Sequence, residues 1–437
     1  MNHVIADLGY SLPRVTDEPR SNRLLSWIVA LSALSFHAAS GLISALMGVF
    51  PTTLDELEHL SYIRSMEQAP RLVPRYEDLR VLAPVGGHFT SAVNYLNHPS
   101  PYYLLMGLVD RAVGGSILGL RLADLGLSLG AVAVLLVAGF RVLTGWKERA
   151  VFATVLVLFP KLGVVGGLIN NDNAALLATA VGFFGLIEWS RRPSLKTALL
   201  VGVGVALCGW TKLTVLLMIA FSLVFAEAFR LAVEKKRAPL VAYAIVAVSL
   251  VIAGFPSLMN LAAYGRVLHH TNAFYLPPAG RASLSFAGYT VVFLRNMADK
   301  WAAVEPSHLM QLLGLYVVLA FSAATATYAP RRMADPEVGA GWRVACAMIL
   351  AAVPVLILHL YFGWRTFVED GFIEMAQTRY YYGLWPGVAL GLALMWLIAL
   401  RPPLRTPIAL VATALLGSSS VAILASALLI HGQAVIR

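Results

Sequence analysis

The chain has few charged residues and almost no cysteine. Of its 437 residues, only 13% are Asp, Glu, Lys or Arg, and 59% are hydrophobic. A water-soluble protein of this length cannot bury that much apolar surface, so the composition excludes the soluble globular class. The net charge of +10 would suggest a nucleic-acid partner in a soluble protein, but here it indicates basic loops between membrane spans. We therefore expect no nucleic-acid partner.

Two cysteines, Cys208 and Cys346, lie far apart in apolar runs. Their number and placement argue against a disulfide framework or a thiolate metal site. We expect both to be small buried hydrophobes. The sequence also shows no solenoid repeat and no inverted repeat of the kind found in secondary transporters.

Apolar runs of spanning length predict an all-α, polytopic integral membrane protein, because helices satisfy their own backbone hydrogen bonds in lipid. We predict about 11 transmembrane helices, at residues 24–50, 117–140, 150–168, 174–190, 197–210, 213–230, 240–263, 308–329, 344–362, 380–400 and 406–430. Basic clusters recur at every second connection, and the positive-inside rule places them in the cytoplasm. The prediction is a multi-pass protein of the cell inner (plasma) membrane with a cytoplasmic N-terminus.

The segment 98–115 is apolar but short for a crossing. We predict a re-entrant or interfacial helix there, and a twelfth span is the competing topology. Residues 1–437 then form a single transmembrane domain with no separate soluble domain. Its two large extracytoplasmic loops are residues 51–116 and 264–307.

The first loop opens with the acidic stretch DELEH at residues 55–59. On a helix, Asp55, Glu58 and His59 share one face. Such a cluster could act as a base or bind a metal. The simpler explanation is a helix start, where acidic side chains complement the helix dipole and Thr53 with Glu56 would form a capping box. These residues alone leave both interpretations open.

Two basic residues stand at the ends of apolar runs, Lys212 in GWTKLT and Arg379 in QTRYYYGLWP. Charges at membrane depth are costly and are usually functional or paired. Lysine offers phosphate a point charge, and arginine offers it a fork of donors. The alternatives are a lysine that reaches to the membrane surface and an interfacial arginine beside an aromatic belt that begins at Tyr380.

Five motifs occur in a fixed order over most of the chain: DELEH (55–59), NHPSPYY (97–103), LINNDNAALL (168–177), GWTKLT (209–214) and QTRYYYGLWP (377–386). Together they resemble the GT-C superfamily of membrane glycosyltransferases. The likeness is to the bacterial branch of the aminoarabinose transferase and protein mannosyltransferase type, whose motifs read Asp-Glu, HPPxYY, NDxL, TKxx and GRYxxP. Ser100 and Thr378 depart from this pattern. Thr378 stands where the motif has glycine, which allows conformations that threonine does not, so the motif does not predict the backbone conformation beside Arg379.

The resemblance implies a GT-C-like fold with its active site on the extracytoplasmic first loop. It implies Asp55 as the catalytic base, with Glu56 and Asp172 as further catalytic carboxylates. It also leaves room for a divalent metal on these three residues, although their spacing does not indicate one. The implied donor-phosphate residues are Lys212, Arg379, His59, Tyr380 and Gln377, and the implied cavity-lining residues are His98, Asn97 and Asn171.

The function implied is transfer of a sugar from a polyprenyl-phosphate-linked donor to an extracytoplasmic acceptor. The acceptor would be a lipid, a polysaccharide or a protein, in cell-envelope glycan synthesis or modification, and the transfer would invert the anomeric centre. The alternative is a transporter or flippase of a lipid-linked saccharide. That protein would also need Arg and Lys, but it would not need an acidic cluster on one face.

Overall fold

The computed structural model describes residues 20–52, 54–159, 161–267, 284–299, 308–336, 338–371 and 378–398. The described chain is helical apart from one two-stranded antiparallel sheet. Its elements are α1 (Arg20–Met47), α2 (Glu56–Gln68), β1 (Arg80–Leu82), β2 (Phe89–Val93), α3 (Pro101–Ala112), α4 (Ile117–Phe140), α5 (Trp146–Val157), α6 (Leu162–Gly166), α7 (Asp172–Arg191), α8 (Leu195–Gly209), α9 (Leu213–Glu234), α10 (Leu240–Tyr264), α11 (Phe286–Asp299), α12 (His308–Tyr328), α13 (Gly339–Asp370) and α14 (Trp385–Ile398). A 3₁₀ helix, Thr378–Leu384, precedes α14.

Six helices in the described ranges are long and apolar enough to cross a membrane: Ser21–Met47, Ile117–Phe140, Asp172–Arg191, Leu213–Glu234, Leu240–Tyr264 and Gly339–Glu369. The protein is therefore a multi-pass membrane protein with an all-α membrane region. The total of 11 spans stays a prediction, and the run predicted at 406–430 lies outside the described residues.

One predicted span is not a continuous helix. The run 150–168 contains the end of α5 and the short α6, joined through Lys161, which has a positive φ of 67°. Pro160 stands just before this turn in the sequence. Proline cannot continue the hydrogen bonding of a helix, so a break at this point is expected from its chemistry.

The first loop folds into a unit of its own, which we call the cap: α2, the β1–β2 hairpin and α3. Its core includes Tyr62 and Tyr103, whose rings stack with centroids 3.6 Å apart. Pro101 occupies the start of α3, where a missing N–H costs nothing. With 12 residues, α3 is about 18 Å long, short of the ~30 Å hydrocarbon core of a bilayer.

The helices place the first loop and the basic connections at opposite ends of the bundle. At the cap end, the backbone N–H of Asn170 donates to Asp124, near the starts of α7 and α4. At the other end, Arg141 pairs with Glu188 at 2.9 Å, and Arg343 pairs with Glu234 at 3.2 Å. The helix starts that carry the sequence motifs therefore meet at the cap end.

Candidate active site

A cavity of about 380 Å³ lies between the cap and the ends of the membrane helices. Four charged side chains line it: Asp55, Asp172, Lys212 and Arg379. They come from the residue before α2, the start of α7, the residue before α9 and the 3₁₀ helix. We call them the charge quartet. Positions up to 324 residues apart in the sequence thus converge on one site.

Asp55 is held at the mouth of the cavity by its backbone and by two donors. It is the N-cap of α2, in a left-handed conformation with φ 63°, and its side chain makes no capping hydrogen bond. Aspartate tolerates this conformation better than most residues. Its carboxylate instead accepts a hydrogen bond from the Tyr95 hydroxyl and forms an ion pair with Arg379. The helix therefore begins after Asp55. Thr53, the predicted partner of Glu56 in a capping box, lies outside the described residues.

Asp172 pairs with both cations of the quartet. The Nζ atom of Lys212 lies 2.6 Å from one carboxylate oxygen, and an Arg379 terminal nitrogen lies 3.5 Å from the other. All three side chains are nearly buried. Arg379 therefore contacts both carboxylates, and the quartet carries two positive and two negative charges that cancel.

Tyr380 lies beside the two cations. The Nζ atom of Lys212 is 4.4 Å from the centroid of its ring, and the Arg379 guanidinium is 5.6 Å from it. Burial opposes the charged guanidinium, but Asp172, Tyr380 and Asp55 outweigh it and raise the pKa of Arg379. Within the described residues, the Arg379 Nε atom is buried without a hydrogen-bond partner. A buried donor in this state suits an anionic oxygen of a ligand.

Two histidines of the cap line the cavity as neutral rings. His59 Nδ1 lies 3.0 Å from the Tyr103 hydroxyl, and the His59 and His98 rings stack with centroids 6.3 Å apart. Burial lowers the pKa of His59 to about 3 and holds the pKa of His98 well below its usual value. His59 can offer a ligand a hydrogen bond, but it does not carry the positive charge expected of a phosphate-binding cation.

Glu56 does not reach the cavity, which corrects its prediction as a catalytic or metal-binding partner of Asp55. It is fully buried, and both of its oxygens lie 2.7 Å from Arg121 of α4. Arg121 also donates to the carbonyls of Ala45, in the last turn of α1, and of Gly48, just after it. The adjacent positions 55 and 56 point in different directions because α2 begins between them, so Glu56 joins α1, α2 and α4 instead.

The structure separates the remaining predicted residues. Asn97, His98 and Tyr380 line the cavity. Asn171 does not, because its amide donates to the Thr211 carbonyl at 2.9 Å. Its neighbour Asn170 lines the cavity in its place and donates to the Leu54 carbonyl, which ties the start of α7 to the residue before Asp55. Gln377 lies outside the described residues.

Among the cavity residues that sequence reasoning missed are Tyr95 and His359. Burial, with the neighbouring Asp55, raises the pKa of Tyr95, so its hydroxyl keeps its proton and donates to Asp55. Nothing near Tyr95 in the sequence marks it. His359 is different, because a histidine inside the apolar run of α13 is a signal of an intramembrane site.

The predicted metal residues do not form a metal site in the described structure. No group of three or more His, Cys, Asp or Glu side chains that could hold a metal ion occurs in the ranges described. Asp55 and Asp172 pair with cations, and Glu56 faces Arg121. Each of these three carboxylates is therefore paired with a lysine or arginine side chain of the protein.

The described fold and cavity define a multi-pass membrane protein with an amphipathic site at one end of its helices. Its solved structural neighbours include ArnT from Cupriavidus metallidurans bound to undecaprenyl phosphate, with a TM-score of 0.42 and 15% sequence identity, over 84% of this chain and 77% of that chain. The apo state of ArnT has a TM-score of 0.40 and 13% identity, over 84% of this chain and 76% of that one. ArnT is a GT-C glycosyltransferase, the kind that the five motifs resemble. No protein-family model and no curated protein sequence matches the chain.

Proposed function

We propose that the protein is a glycosyltransferase that moves a sugar from a polyprenyl-phosphate-linked donor to an acceptor, with inversion. The observation that carries the proposal is the convergence of Lys212 and Arg379 with Asp55 on one cavity. Two cations suit the donor phosphate, and a carboxylate beside them suits an acceptor that must lose a proton. The order of motifs along the chain supports the same chemistry.

The rest of the cavity suits a lipid carrier. Beyond the quartet, part of its wall is apolar and comes from α9, α10 and α13, through Leu217, Pro256, Val355, Leu358 and Phe362. A ligand with a charged head and a hydrocarbon tail matches a cavity that is charged at one side and apolar at the other. An undecaprenyl phosphate of the kind bound to the neighbour ArnT has this form.

Each residue then has a defined role in the reaction. Lys212 and the free Nε donor of Arg379 bind the phosphate oxygens and stabilise the negative charge that develops as the carrier leaves. Asp55 holds two donors and keeps lone pairs for an acceptor hydroxyl or amine. It takes the acceptor's proton while the acceptor oxygen or nitrogen attacks the anomeric carbon. The bond from that carbon to the phosphate oxygen breaks, and one displacement inverts the centre.

The proposal includes the orientation of the site in the membrane. The cap and the quartet face the outside of the inner membrane, and the basic connections at the other end face the cytoplasm. The acceptor is a lipid, a glycan or a protein of the cell envelope. A lipid-linked-saccharide transporter is the rival, but it has no use for a carboxylate fixed beside two phosphate-binding cations.

The test is transfer by the purified protein in lipid nanodiscs. It is supplied with a radiolabelled polyprenyl-phosphate sugar and an extract of envelope acceptors, and the product is analysed for a new glycosidic bond. We expect the label in a mild-acid-stable product only when Asp55 and the two cations are intact, because mild acid cleaves the glycosyl phosphate of the donor but not a new glycosidic bond. A parallel sample in sealed vesicles tests the rival, and movement of the donor across the bilayer without a new bond would instead support the transporter.

A further inference from the structure

The cavity has a second polar region that the phosphate chemistry does not use. Four further polar side chains line it: Thr214 from α9, Ser257 and Asn260 from α10, and His359 from α13. Ser257, Asn260 and His359 lie within α10 and α13, and Thr214 lies in the first turn of α9, two residues after Lys212. Three helices thus present hydrogen-bonding groups to one space.

Two of these side chains carry buried atoms with unused hydrogen-bonding capacity. Within the described chain, Thr214 Oγ1 and Asn260 Oδ1 are buried and have no hydrogen-bond partner. Asn260 itself is 6% exposed; its amide nitrogen makes a long contact of 3.4 Å to the Val267 carbonyl, and its side chain also interacts with Tyr76. Buried polar atoms in proteins are almost always paired. Because these two face a cavity, a ligand is the natural partner.

His359 connects this region with the phosphate side of the cavity. Its Nδ1 atom lies 2.9 Å from the Tyr381 hydroxyl, which fixes the plane of the ring. The His359 ring centroid lies 6.0 Å from that of Tyr380, the ring that also contacts Lys212. The second polar region therefore begins one aromatic ring, that of Tyr380, away from Lys212, the cation proposed to bind phosphate. A sugar ester-linked to that phosphate would lie at this distance.

The charges of the cavity restrict which sugar fits. In the described lining, Asp55 and Asp172 are the only carboxylates, and both are paired with Lys212 or Arg379. An amino sugar would need a carboxylate free of other cations, and a uronic acid would need a further cation. Hydroxyl groups need neither, and threonine, serine, asparagine and histidine all bind them.

We infer that Thr214, Ser257, Asn260 and His359 form a subsite for an uncharged sugar, next to the phosphate subsite. The inference rests on the proposed function, because the phosphate places the sugar. The same chemistry would recognise the sugar of the lipid-linked donor or a sugar at the end of a glycan acceptor. The experiment therefore has one arm for each source.

The donor arm compares short-chain polyprenyl phosphodiesters of equal charge. Affinities of purified protein in detergent are measured for the carrier esterified with methyl, glucose, mannose or glucosamine. We expect a neutral hexose to tighten binding about tenfold over methyl and glucosamine to give no gain. Thr214→Val and Asn260→Leu should each remove about 3- to 10-fold from the hexose ester, the worth of one hydrogen bond, and leave the methyl ester unchanged. Thr214→Ser keeps the hydroxyl and should bind as the wild type does.

The acceptor arm uses methyl glucoside and methyl mannoside as free ligands. If the subsite holds the acceptor's sugar, these glycosides bind alongside the methyl-ester carrier, and their affinity falls in Thr214→Val. In that case the hexose ester of the carrier binds no better than the methyl ester. Either arm's result supports the subsite. It is overturned if neither kind of sugar depends on Thr214 or Asn260, or if the glucosamine ester binds tightest. Failure of the proposed function looks different: Lys212→Ala would then leave methyl-ester binding unchanged.

Discussion

Arg379 and Asp55 form an ion pair across 324 residues of sequence, at the mouth of the cavity. The same guanidinium lies 3.5 Å from Asp172, so it stands between the two carboxylates of the charge quartet. The residue proposed to bind the donor phosphate therefore contacts the residue proposed as the base. Donor and acceptor are brought together on one side chain, which is what a direct displacement between them requires.

Asp55→Asn should abolish transfer and spare donor binding. Asparagine has the same size and can still accept a hydrogen bond, but it cannot take a proton at neutral pH. Loss of a general base typically lowers the rate about 10²- to 10⁴-fold. The measurement is the rate of glycosidic-bond formation beside the affinity for the polyprenyl-phosphate donor.

Glu58→Gln is the matched control for that variant. Glu58 lies in the same turn of α2 but does not line the cavity, and burial raises the pKa of its carboxyl. It should retain most of the wild-type rate. Wild-type transfer by Asp55→Asn would remove the base from the mechanism.

Arg379→Lys should weaken use of the donor more than it affects folding. Lysine keeps the charge and loses the fork, including the Nε donor that is buried without a partner in the described structure. We expect the donor KM to rise about tenfold or more, since each charge-assisted hydrogen bond contributes about 1.5–3 kcal/mol. Arg266→Lys, an arginine half-exposed at the end of α10, is the control and should leave the donor KM unchanged. Equal donor KM values for the two variants would place the phosphate elsewhere.

Glu56→Gln should destabilise the protein without acting on the donor site. It removes one charge from a buried, doubly hydrogen-bonded pair and leaves Arg121 uncompensated, a change that costs about 3–5 kcal/mol in buried pairs. Glu188→Gln breaks the pair with Arg141, which is half-exposed, and should cost under about 1 kcal/mol. Thermal unfolding in detergent should show a clearly lower melting temperature for the first variant and little change for the second. The reverse order would show that Glu56 does not hold the three helices.

Stability should fall as the pH drops below about 6.5, because the two cap histidines stay neutral in the fold. The pKa of His59 is lowered to about 3 and that of His98 is also lowered, so the unfolded chain binds more protons than the native one in this window. Each such histidine costs about 1.4 kcal/mol per pH unit below its unfolded pKa. Melting temperatures between pH 7 and pH 5 should therefore decline less for His59→Phe than for the wild type. The exposed His88 provides a control, since His88→Phe should show the wild-type decline.

The orientation of the bundle can be tested with single cysteines. Cys208 and Cys346 are buried, so background labelling by a membrane-impermeant thiol reagent should be low. We expect a cysteine at His88, exposed in the cap hairpin, to react from outside the cell. A cysteine at the exposed Ala334, beside the basic connection before α13, should react only after the membrane is opened. Labelling of both from one side would contradict the proposed orientation.

Six of the predicted spans coincide with helices long and apolar enough to cross a membrane, because the length of an apolar run can be read directly from the sequence. The ten predicted runs within the described ranges all contain helix, and the one that breaks does so beside Pro160. Side-chain partners were harder. Asp55 and Glu56 are neighbours in one motif, yet one faces Arg379 and the other faces Arg121 inside α4. Which way each points depends on the left-handed backbone at Asp55, and no pattern of residue types specifies that angle.

Lys212 shows the same limit in another form. Its charge at the end of an apolar run marked it as paired or functional, and the structure gives it Asp172 as its partner at 2.6 Å. The contact depends on how α7 and α9 pack against each other. Sequence spacing does not report packing between helices, so the residue could be predicted and its partner could not.

The cancelling charges of the quartet also determine which anions the site selects. A small anion from water, such as chloride or inorganic phosphate, would have to compete with two carboxylates already in place on Lys212 and Arg379. It brings no apolar surface to offset that competition. An anion on a long hydrocarbon chain does, because its tail buries against the apolar wall, at roughly 0.8 kcal/mol per buried CH₂. The internal ion pairs therefore disfavour binding of small dissolved anions, whereas a lipid phosphate offsets this competition through burial of its hydrocarbon chain.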